Sequence, residues 1–519
     1  MTTDHLDKAA ATEAAERYIA KLWSFREVLR EDGLSTADFL DVLTCLLLLR
    51  IVDSRYETDE RLRRTHDRPD PYQWRKPGGT PGESIVRDIR HAMSFLDGAL
   101  QDLNIGQIVS GTRIEVCSVA KLIRLAELID EIVPGDDAST DFAAEVYEGL
   151  LTMAASDVRE GISQFYTPRA LVDAMIEATI PTAQDTVMDP ACGTGGFLIA
   201  AQAHARVRSS PAPADGGQGL QPGSSVRGIE LVPAAARLAA ANMVLHGLGD
   251  ITDGPMIRVG DSLAYLSGQA SLVLSNPPFG VHSPVKVHAT DDDPLAWYEP
   301  ARGRPDFSYS RPDFVSTTAN RPLKFLQHVA SSLKPGGRAA VVVPDNALFV
   351  DRDGETVRRH LLRNFNVHTL LRLPAGAIPP GGIRSNVLFF DRPTEPCRGT
   401  PCTRRLWVYD LRAERSPGNK RAPLQRDAFN DFLACYLPGR DHDEREETKR
   451  FKAFTYEDLV ARDSANLDLW WDEDAAEEER RPPHVIAEEI VNDLDLALGE
   501  FSVIADTLRA RHVESADGP

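Results

Sequence analysis

The chain has 519 residues and a formal net charge of −20 at pH 7. This length exceeds what one hydrophobic core usually holds, so we expect two or three domains. The acidity argues against a protein that binds nucleic acid by itself, because such proteins usually present a basic face. The most apolar run, Cys45 to Leu49, is too short to span a membrane, and we expect no signal peptide.

The six cysteines are scattered along the chain. Cys397 and Cys402 are close in sequence, but they lack the second matching pair that a zinc site would need. The pattern therefore predicts neither a metal site nor a disulfide framework, and it favours a reduced protein of the cytoplasm.

Residues 1–150 predict a helical N-terminal domain. Ser35 and Asp38 have the spacing of a capping box ahead of an apolar run. Residues 116–132 carry apolar side chains at helical spacing.

Three groups of basic residues in the whole chain are candidate nucleic-acid contacts or, alternatively, solvated faces: residues 61–68; Arg302, Arg304 and Arg311; and Arg358, Arg359 and Arg363.

Residues 151–395 predict an α/β domain. Short apolar runs alternate there with helical segments, and this alternation is typical of a parallel, doubly wound sheet. The seven predicted strands are 186–188, 226–229, 256–259, 272–274, 338–343, 367–373 and 386–390.

Polar side chains follow the first three of these strands. Asp189 ends the first strand, and Glu230 and Asp261 follow the next two. The turn after Asp189 is rich in glycine, which lets the backbone approach a ligand closely; it consists of Gly193, Thr194, Gly195 and Gly196. Parallel sheets bind ligands at the carboxyl ends of their strands. We therefore expect Glu230 to accept hydrogen bonds from ribose hydroxyls and Asp261 to accept one from an adenine amino group. For each acid alone, the alternative is a capping or solvated role.

The fourth strand is followed by Asn276, Pro277, Pro278 and Phe279. The Asn276 side chain and the Pro277 carbonyl can accept both hydrogens of a planar amino group. The prolines stiffen the turn, and the Phe279 ring offers a stacking face. This pattern indicates a site that presents an amino nitrogen to a methyl donor; the alternative is a Pro-rich turn after a buried strand.

A further segment lies ahead of the first strand and consists of Gln164, Phe165, Tyr166, Thr167, Pro168 and Arg169. Thr167 and the backbone amides of 165–167 are candidates to hold a carboxylate. Alternatively, Thr167 is the N-cap and Pro168 the first residue of an ordinary helix. The two interpretations are compatible, because helix N-termini bind anions.

The remaining stretches predict a mobile wall and a partner-binding tail. Residues 281–320 predict a flexible loop beside the site.

In the C-terminal extension, 396–480, the charge runs 438–450 and 472–480 are expected to be linker or solvated face. In residues 481–519, apolar side chains from Ala487 to Leu508 recur at heptad spacing. They predict a coiled-coil-like helix that binds a partner or, alternatively, an amphipathic helix packed on its own domain.

Together these motifs resemble those of N6-adenine DNA methyltransferases. The likeness is carried by the Gly-rich segment 189–197, by Asn-Pro-Pro-Phe at 276–279 and by the segment 161–169 ahead of them. Nearly the whole chain further resembles the modification subunit of type I restriction–modification systems. The other segments that carry this likeness are Leu22-Trp23, 34–43, 324–328, 333–349, 373–374, 385–390, 409–412 and 466–470.

The resemblance implies a Rossmann-like, seven-stranded methyltransferase sheet with one reversed strand, and S-adenosylmethionine as cofactor. Residues 164–169, the Gly-rich turn, Asp189, Glu230 and Asp261 would bind the cofactor. Asn276, Pro277, Pro278 and Phe279 would be catalytic, and no metal would be needed. The implied partners are duplex DNA, a specificity subunit, a second copy of the chain and a restriction subunit, with no membrane. Alternatives are methylation of RNA or protein, another phage-defence system, or a non-catalytic scaffold.

Overall fold

A nine-stranded mixed sheet organises the fold in the computed structural model. Met1–Leu467 form one compact unit, which contains the whole sheet, and Asp468–Pro519 form a second. The described residues are 2–56, 119–133, 141–156, 166–208, 225–248, 256–264, 268–279, 287–288, 309–318, 320–350, 352–378, 383–412 and 424–471.

The strands of this sheet follow one another in chain order with helices between most of them. Their bounds are β1 Thr186–Asp189, β2 Ser225–Glu230, β3 Ile257–Val259, β4 Ala270–Ser275, β7 Leu333–Pro344, β8 Asn366–Arg372, β9 Ser385–Asp391, β10 Arg405–Asp410 and β11 Phe451–Thr455. A separate parallel pair is formed by β5 Val287–His288 and β6 Tyr309–Ser310.

The strand order across the sheet is β11-β10-β8-β9-β7-β4-β1-β2-β3. From β1 the chain proceeds to β2 and β3 on one side, and then crosses to β4 on the other side of β1. This reversal of strand order creates a crevice at the carboxyl ends of β1 and β4, where doubly wound sheets bind ligands. Only β9 and β11 run antiparallel to their neighbours among these nine described strands.

All seven predicted strands are confirmed, but the predicted total of seven is wrong. β10 and β11 extend the sheet beyond β8, with β10 parallel to β8 and β11 antiparallel to β10. Trp407 and Phe451 stack across this added pair, with ring centroids 4.8 Å apart. Residues 405–410 and 451–455 of the C-terminal extension therefore continue the sheet of the α/β domain.

The sheet is buried on both faces by helices. The central strands are continuous apolar runs, with Leu272, Val273 and Leu274 of β4 fully buried, as expected for parallel strands covered on both sides. The helices that follow residue 160 are α5 Arg169–Thr179, α6 Gly196–Arg208, α7 Pro233–Leu245, α8 Arg321–Ser332, α9 Asn346–Phe349, α10 Asp353–Asn364, α11 Asn430–Tyr436 and α12 Tyr456–Ala461.

Four described helices precede residue 160: α1 Thr2–Arg30, α2 Thr36–Tyr56, α3 Val119–Ile132 and α4 Asp141–Ser156. The predicted capping box is confirmed at α2, where the Asp38 amide donates to Ser35 Oγ at 3.1 Å and the Ser35 amide donates to Asp38 Oδ2 at 2.9 Å. These helices share one apolar core with the sheet. A 2.7 Å ion pair between Arg237 of α7 and Asp41 of α2 also joins them.

Several sequence expectations need correction. Cys397 and Cys402 form a disulfide in the loop between β9 and β10, where the chain folds back and brings their Cα atoms within 5.6 Å. Arg311 and Arg358 are buried and bonded to protein, so neither is a nucleic-acid contact. Arg445, inside the charge run 438–450, is also buried and donates to the Tyr436 carbonyl at 2.8 Å. Charge patterns in the sequence do not reveal such internal partners.

Other predictions fall on residues that the structure does not describe. These are Gln164, Phe165, the basic stretch 61–68, Arg302, Arg304, most of 281–320, the run 472–480 and the heptads from Ala487 to Leu508. Among the described helices, none has the length and apolar character needed to cross a bilayer.

Candidate active site

A cleft lies at the carboxyl ends of β1 to β4, at the reversal of strand order. It encloses about 1190 Å³ of empty space, part of it open to solvent. Most of the predicted site residues line it: Tyr166, Thr167, Arg169, Asp189, Gly193, Thr194, Gly196, Glu230, Asp261, Asn276 and Pro278. Separate sequence motifs, up to 112 positions apart in the chain (Tyr166 to Pro278), thus converge on one cavity.

The Gly-rich turn forms the floor of this cleft. Gly193 and Gly195 have φ values of 52° and 82°, in the left-handed region that favours glycine. The Gly195 amide donates to the Cys192 carbonyl at 2.8 Å, which closes the turn before α6 begins at Gly196. Gly195 supports the turn without lining the cleft.

Asn242 of α7 holds the same turn from the side. Its Nδ2 donates to the Thr194 carbonyl at 3.1 Å. Its Oδ1 is buried and accepts no hydrogen bond from the described residues. Because an unpaired buried polar atom costs about 1–3 kcal/mol, this oxygen is an acceptor available to a ligand.

Glu230 lies at the end of β2 with both carboxylate oxygens engaged by backbone. Oε2 accepts from the Gly193 amide at 3.0 Å, and Oε1 accepts from the Val232 amide at 2.9 Å. Burial raises the pKa of this carboxyl above its usual value. Each carboxylate oxygen has a second lone pair, so Glu230 can still accept from a ligand hydroxyl.

Asp189 is almost fully buried at the end of β1. Its Oδ1 accepts from the Ala191 amide at 3.0 Å and from the Ser275 hydroxyl at 2.7 Å. Burial nevertheless raises the pKa of Asp189 to about 7. The carboxylate is therefore held ready for a cationic ligand, whose charge would favour its ionised form.

Asn276 follows β4 and faces the first motif across the cleft. Its Nδ2 donates to Thr167 Oγ1 at 3.0 Å. Its Oδ1 is buried and, within the described parts of the chain, accepts no hydrogen bond. The bond to Thr167 fixes which end of the amide is the free acceptor.

The rest of this turn is arranged around Asn276. Pro278 is exposed and lines the cleft, whereas Pro277 is buried. Phe279 is half-buried and packs partly against the apolar core, next to the cleft but outside its lining.

The segment before α5 differs from the expected helix start by one residue. Pro168 is the N-cap of α5, and the carbonyl of Pro168 accepts from the Leu171 and Val172 amides. The alternative interpretation, with Thr167 as the N-cap, is wrong, because Pro168 takes that position and the Thr167 hydroxyl accepts from Asn276 instead.

The flanking residues of this segment bind the N-terminal helices. Tyr166 OH lies 2.7 Å from Thr152 Oγ1 of α4, and Arg169 pairs with Glu148 of α4 at 3.0 Å. Glu148 lines the cleft, so the helices before residue 160 contribute to it directly.

Several residues that line the cleft were not predicted from the sequence, namely Glu148, Asn242, Arg321 and Phe325. Nor was Ser275, which is buried behind the cleft and donates to Asp189. Asn242 could have been found, because it is a lone amide in the otherwise apolar segment 238–245. Ser275 carried a weaker signal, as the last residue of a buried strand. The other three come from elements whose approach to the cleft is a property of the fold alone.

Cys192 also lines the cleft, but it is buried and burial raises its pKa well above the usual value. A thiol in that state is a poor nucleophile at neutral pH. The cleft therefore offers hydrogen-bond acceptors and buried acids around a ligand, and this suits positioning and electrostatic catalysis better than covalent catalysis.

Comparison with known proteins identifies relatives along the whole chain. Residues 138–479 match the family model described as N-6 DNA Methylase. The chain is 30% identical over 533 aligned residues to the type I restriction enzyme StySPI methylase subunit of Salmonella potsdam, covering 95% of each chain. It is equally identical, over the same share of both chains, to the EcoKI methylase subunit of Escherichia coli K12.

Solved structures agree with this result. One chain, described in work on complex assembly and conformational transition of the type I R-M system, matches with a TM-score of 0.66 at 25% identity, covering 97% of this chain and 99% of that one. A modification subunit assigned to a type I restriction enzyme of Vibrio vulnificus YJ016 matches with a TM-score of 0.62 at 25% identity, covering 86% and 93%.

Proposed function

Because the chain belongs to the N-6 DNA methylase family, and within it to the type I restriction enzyme methylase subunits, we propose that it transfers a methyl group to N6 of adenine in duplex DNA as the modification subunit of such a complex. One observation of the site carries the proposal: the buried Oδ1 of Asn276 is an acceptor held in place but not used by the described residues. An adenine amino group would supply the missing donor.

The cleft suits S-adenosylmethionine as methyl donor. Asp189 and Glu230 are buried acids that match a cationic, hydroxyl-bearing ligand, and Asn242 Oδ1 is a further free acceptor among the described residues. Leu263 and Phe325 offer apolar surface for an adenine ring beside Asp261. When bound, this cofactor supplies an electrophilic methyl group on its sulfonium.

Asn276 and its neighbours would act on the acceptor base. A stacked adenine is out of reach, so it must leave the duplex, at a cost of a few kcal/mol. Asn276 Oδ1 and the Pro277 carbonyl would accept its two N6 hydrogens, which concentrates the nitrogen lone pair on the side away from them. Phe279 would stack on the base, and Thr167 would keep the Asn276 amide in orientation.

Binding partners follow from charge. The net charge is −20, and two of the candidate basic residues, Arg311 and Arg358, are buried. Arg363 is exposed and stays a candidate DNA contact. An acidic subunit needs a partner to bring it to DNA, so we propose a specificity subunit in that role, with a second copy of this chain and a restriction subunit in the full complex.

The experiment is a methyl-transfer assay on three substrates. The chain is purified together with its specificity subunit and given tritiated S-adenosylmethionine with duplex DNA, RNA or a protein extract. We expect label in DNA, recovered as N6-methyladenine after digestion to nucleosides. Label recovered in RNA or protein, or on cytosine, would overturn the proposal.

A further inference from the structure

Three side chains of types that bind metal ions lie together at the strand ends that face away from the cleft. His368 is near the start of β8, and Asp391 is the last residue of the antiparallel strand β9. His442 begins a short 3-10 helix, His442–Glu444, in the C-terminal extension. The cleft lies at the carboxyl ends of the parallel strands, so this cluster takes no part in it.

The separation of His368 and Asp391 fits a shared ion better than a direct hydrogen bond. His368 Nε2 and Asp391 Oδ1 are 3.6 Å apart, beyond the usual range of an N–H···O hydrogen bond. Two ligands of one tetrahedral zinc ion are separated by about 3.4 Å when each bond is about 2.1 Å long. One potential ligand atom of each residue lies within 4.8 Å of the other two.

His368 and His442 lie close enough to share an ion. Their ring centroids are 4.0 Å apart, and the His368 side chain is buried while that of His442 is half-buried. Imidazole nitrogen is the commonest protein ligand of transition-metal ions.

A supporting partner already orients His368. Its Nδ1 lies 2.8 Å from Thr369 Oγ1, and Arg445 donates to the same hydroxyl at 2.9 Å. Metal-binding histidines usually engage their second ring nitrogen in this way, which leaves the other nitrogen for the ion. Here the nitrogen left over, Nε2, faces Asp391.

The charged side chains around the cluster have opposite effects on its affinity for a cation. Asp391 supplies one negative charge. Arg445 and Arg338 are the positive side chains near it, and they lower its affinity for a cation. Arg445 is tied to the Tyr436 carbonyl and to Thr369, and Arg338 to Asp185, so neither occupies the place of an ion.

We propose that His368, Asp391 and His442 bind one divalent transition-metal ion, for which Zn²⁺ is the best match, with water completing its coordination. Nitrogen and carboxylate ligands without thiolate suit this class of ion. The ligands come from β8, β9 and the segment between β10 and β11, so the ion would fasten that segment to the sheet.

The test compares metal binding by matched variants. The full-length protein is dialysed against a chelator and titrated with ZnCl₂ by calorimetry, and its zinc content is measured after desalting. His442→Gln and Asp391→Asn each remove one ligand. The control is His360→Gln, because His360 is half-buried on α10, bonded to Asn364 and outside the cluster.

We expect one zinc per chain for the wild type and for His360→Gln. We expect a loss of affinity of ~100-fold or more in both ligand variants, since even supporting residues change metal affinity by about 10–100-fold. Zinc should also raise the melting temperature of the wild type but not of the ligand variants. Equal binding by wild type and His442→Gln, or no binding by a folded wild type, would overturn the proposal.

Folding of the variants is checked separately. The Asp391 side chain is 37% exposed, so Asp391→Asn should fold even if His442→Gln does not. Retained zinc affinity in folded Asp391→Asn would also contradict the site.

Discussion

Replacing Asp189 by Asn should stabilise the protein at alkaline pH. Both hydrogen bonds of Asp189, from the Ala191 amide and the Ser275 hydroxyl, go to Oδ1. An Asn side chain can keep both with its own Oδ1 and place its NH₂ where Oδ2 was. The substitution therefore removes a buried charge without removing its partners, at the expense of the site's affinity for a cationic ligand.

The magnitude follows from the pKa of this carboxyl, which burial raises from 3.8 to about 7. That rise corresponds to about 4 kcal/mol of lost stability when the carboxyl is ionised, at 1.36 kcal/mol per tenfold change in protonation. Between about pH 4 and pH 7 the folded state binds more protons than the unfolded state, so stability falls as pH rises. The difference in unfolding free energy between Asp189→Asn and the wild type should therefore grow by about 2–3 kcal/mol between pH 5 and pH 8.

Asp185, at the other end of β1, gives the matched control. Burial alone would raise the pKa of Asp185, but the hydrogen bonds and charge of Arg338 lower it to about 2. Its contribution is complete above about pH 4 and is lost only as pH falls toward 2. Asp185→Asn should therefore destabilise by up to about 2 kcal/mol, and equally at pH 5 and pH 8.

The assay is urea unfolding of the ligand-free protein at pH 5 and pH 8. We expect the stability difference between Asp189→Asn and wild type to grow with pH, and that of Asp185→Asn to stay constant. A difference for Asp189→Asn that is independent of pH would refute the assigned burial cost.

Three further predictions concern the site and its support. Phe279→Ala should abolish methylation while S-adenosylmethionine binding, measured by equilibrium dialysis, stays at the wild-type level; lost cofactor binding would contradict its role at the base. Thr167→Val should free the Asn276 amide and lower kcat by up to ~100-fold, and an unchanged kcat would show that the 3.0 Å bond is dispensable. Arg358 donates to backbone carbonyls from Ala347, Val350, Ser464 and Ala465. Arg358→Met should therefore cost at least ~3 kcal/mol in urea unfolding. Arg359 is half-buried and pairs with Glu355, so Arg359→Met should cost under ~1 kcal/mol; equal costs would contradict this.

The strand ends of the site could be predicted because their polar residues interrupt apolar runs. Asp189, Glu230, Asp261 and Asn276 each follow such a run, and the parallel sheet then brings them to one edge. The position of the helix start was wrong by one residue, since the Thr167 hydroxyl can cap a helix or bind Asn276 and only the fold decides between them.

The features of the fold that could not be predicted from the sequence depend mostly on long-range packing. Strands β10 and β11 are short segments among charged residues, and their burial comes from pairing with β8 and stacking of Trp407 on Phe451. Arg311 and Arg445 look like surface charges in the sequence, but Arg311 donates to the Leu263 carbonyl and Arg445 to the Tyr436 carbonyl and the Thr369 hydroxyl. The Cys397–Cys402 disulfide is local, but it depends on how the short loop between the two cysteines folds back, which their spacing does not reveal.

The most direct test of the central claim is adenine methylation by two variants of Asn276 in the purified complex with duplex DNA. Asn276→Ala removes the acceptor oxygen, and Asn276→Asp keeps an oxygen but loses the NH₂ that binds Thr167. We predict that N6-methyladenine formation falls by ~100-fold or more in Asn276→Ala and less in Asn276→Asp, with S-adenosylmethionine binding retained in both. Methylation at the wild-type rate by Asn276→Ala would contradict the assignment.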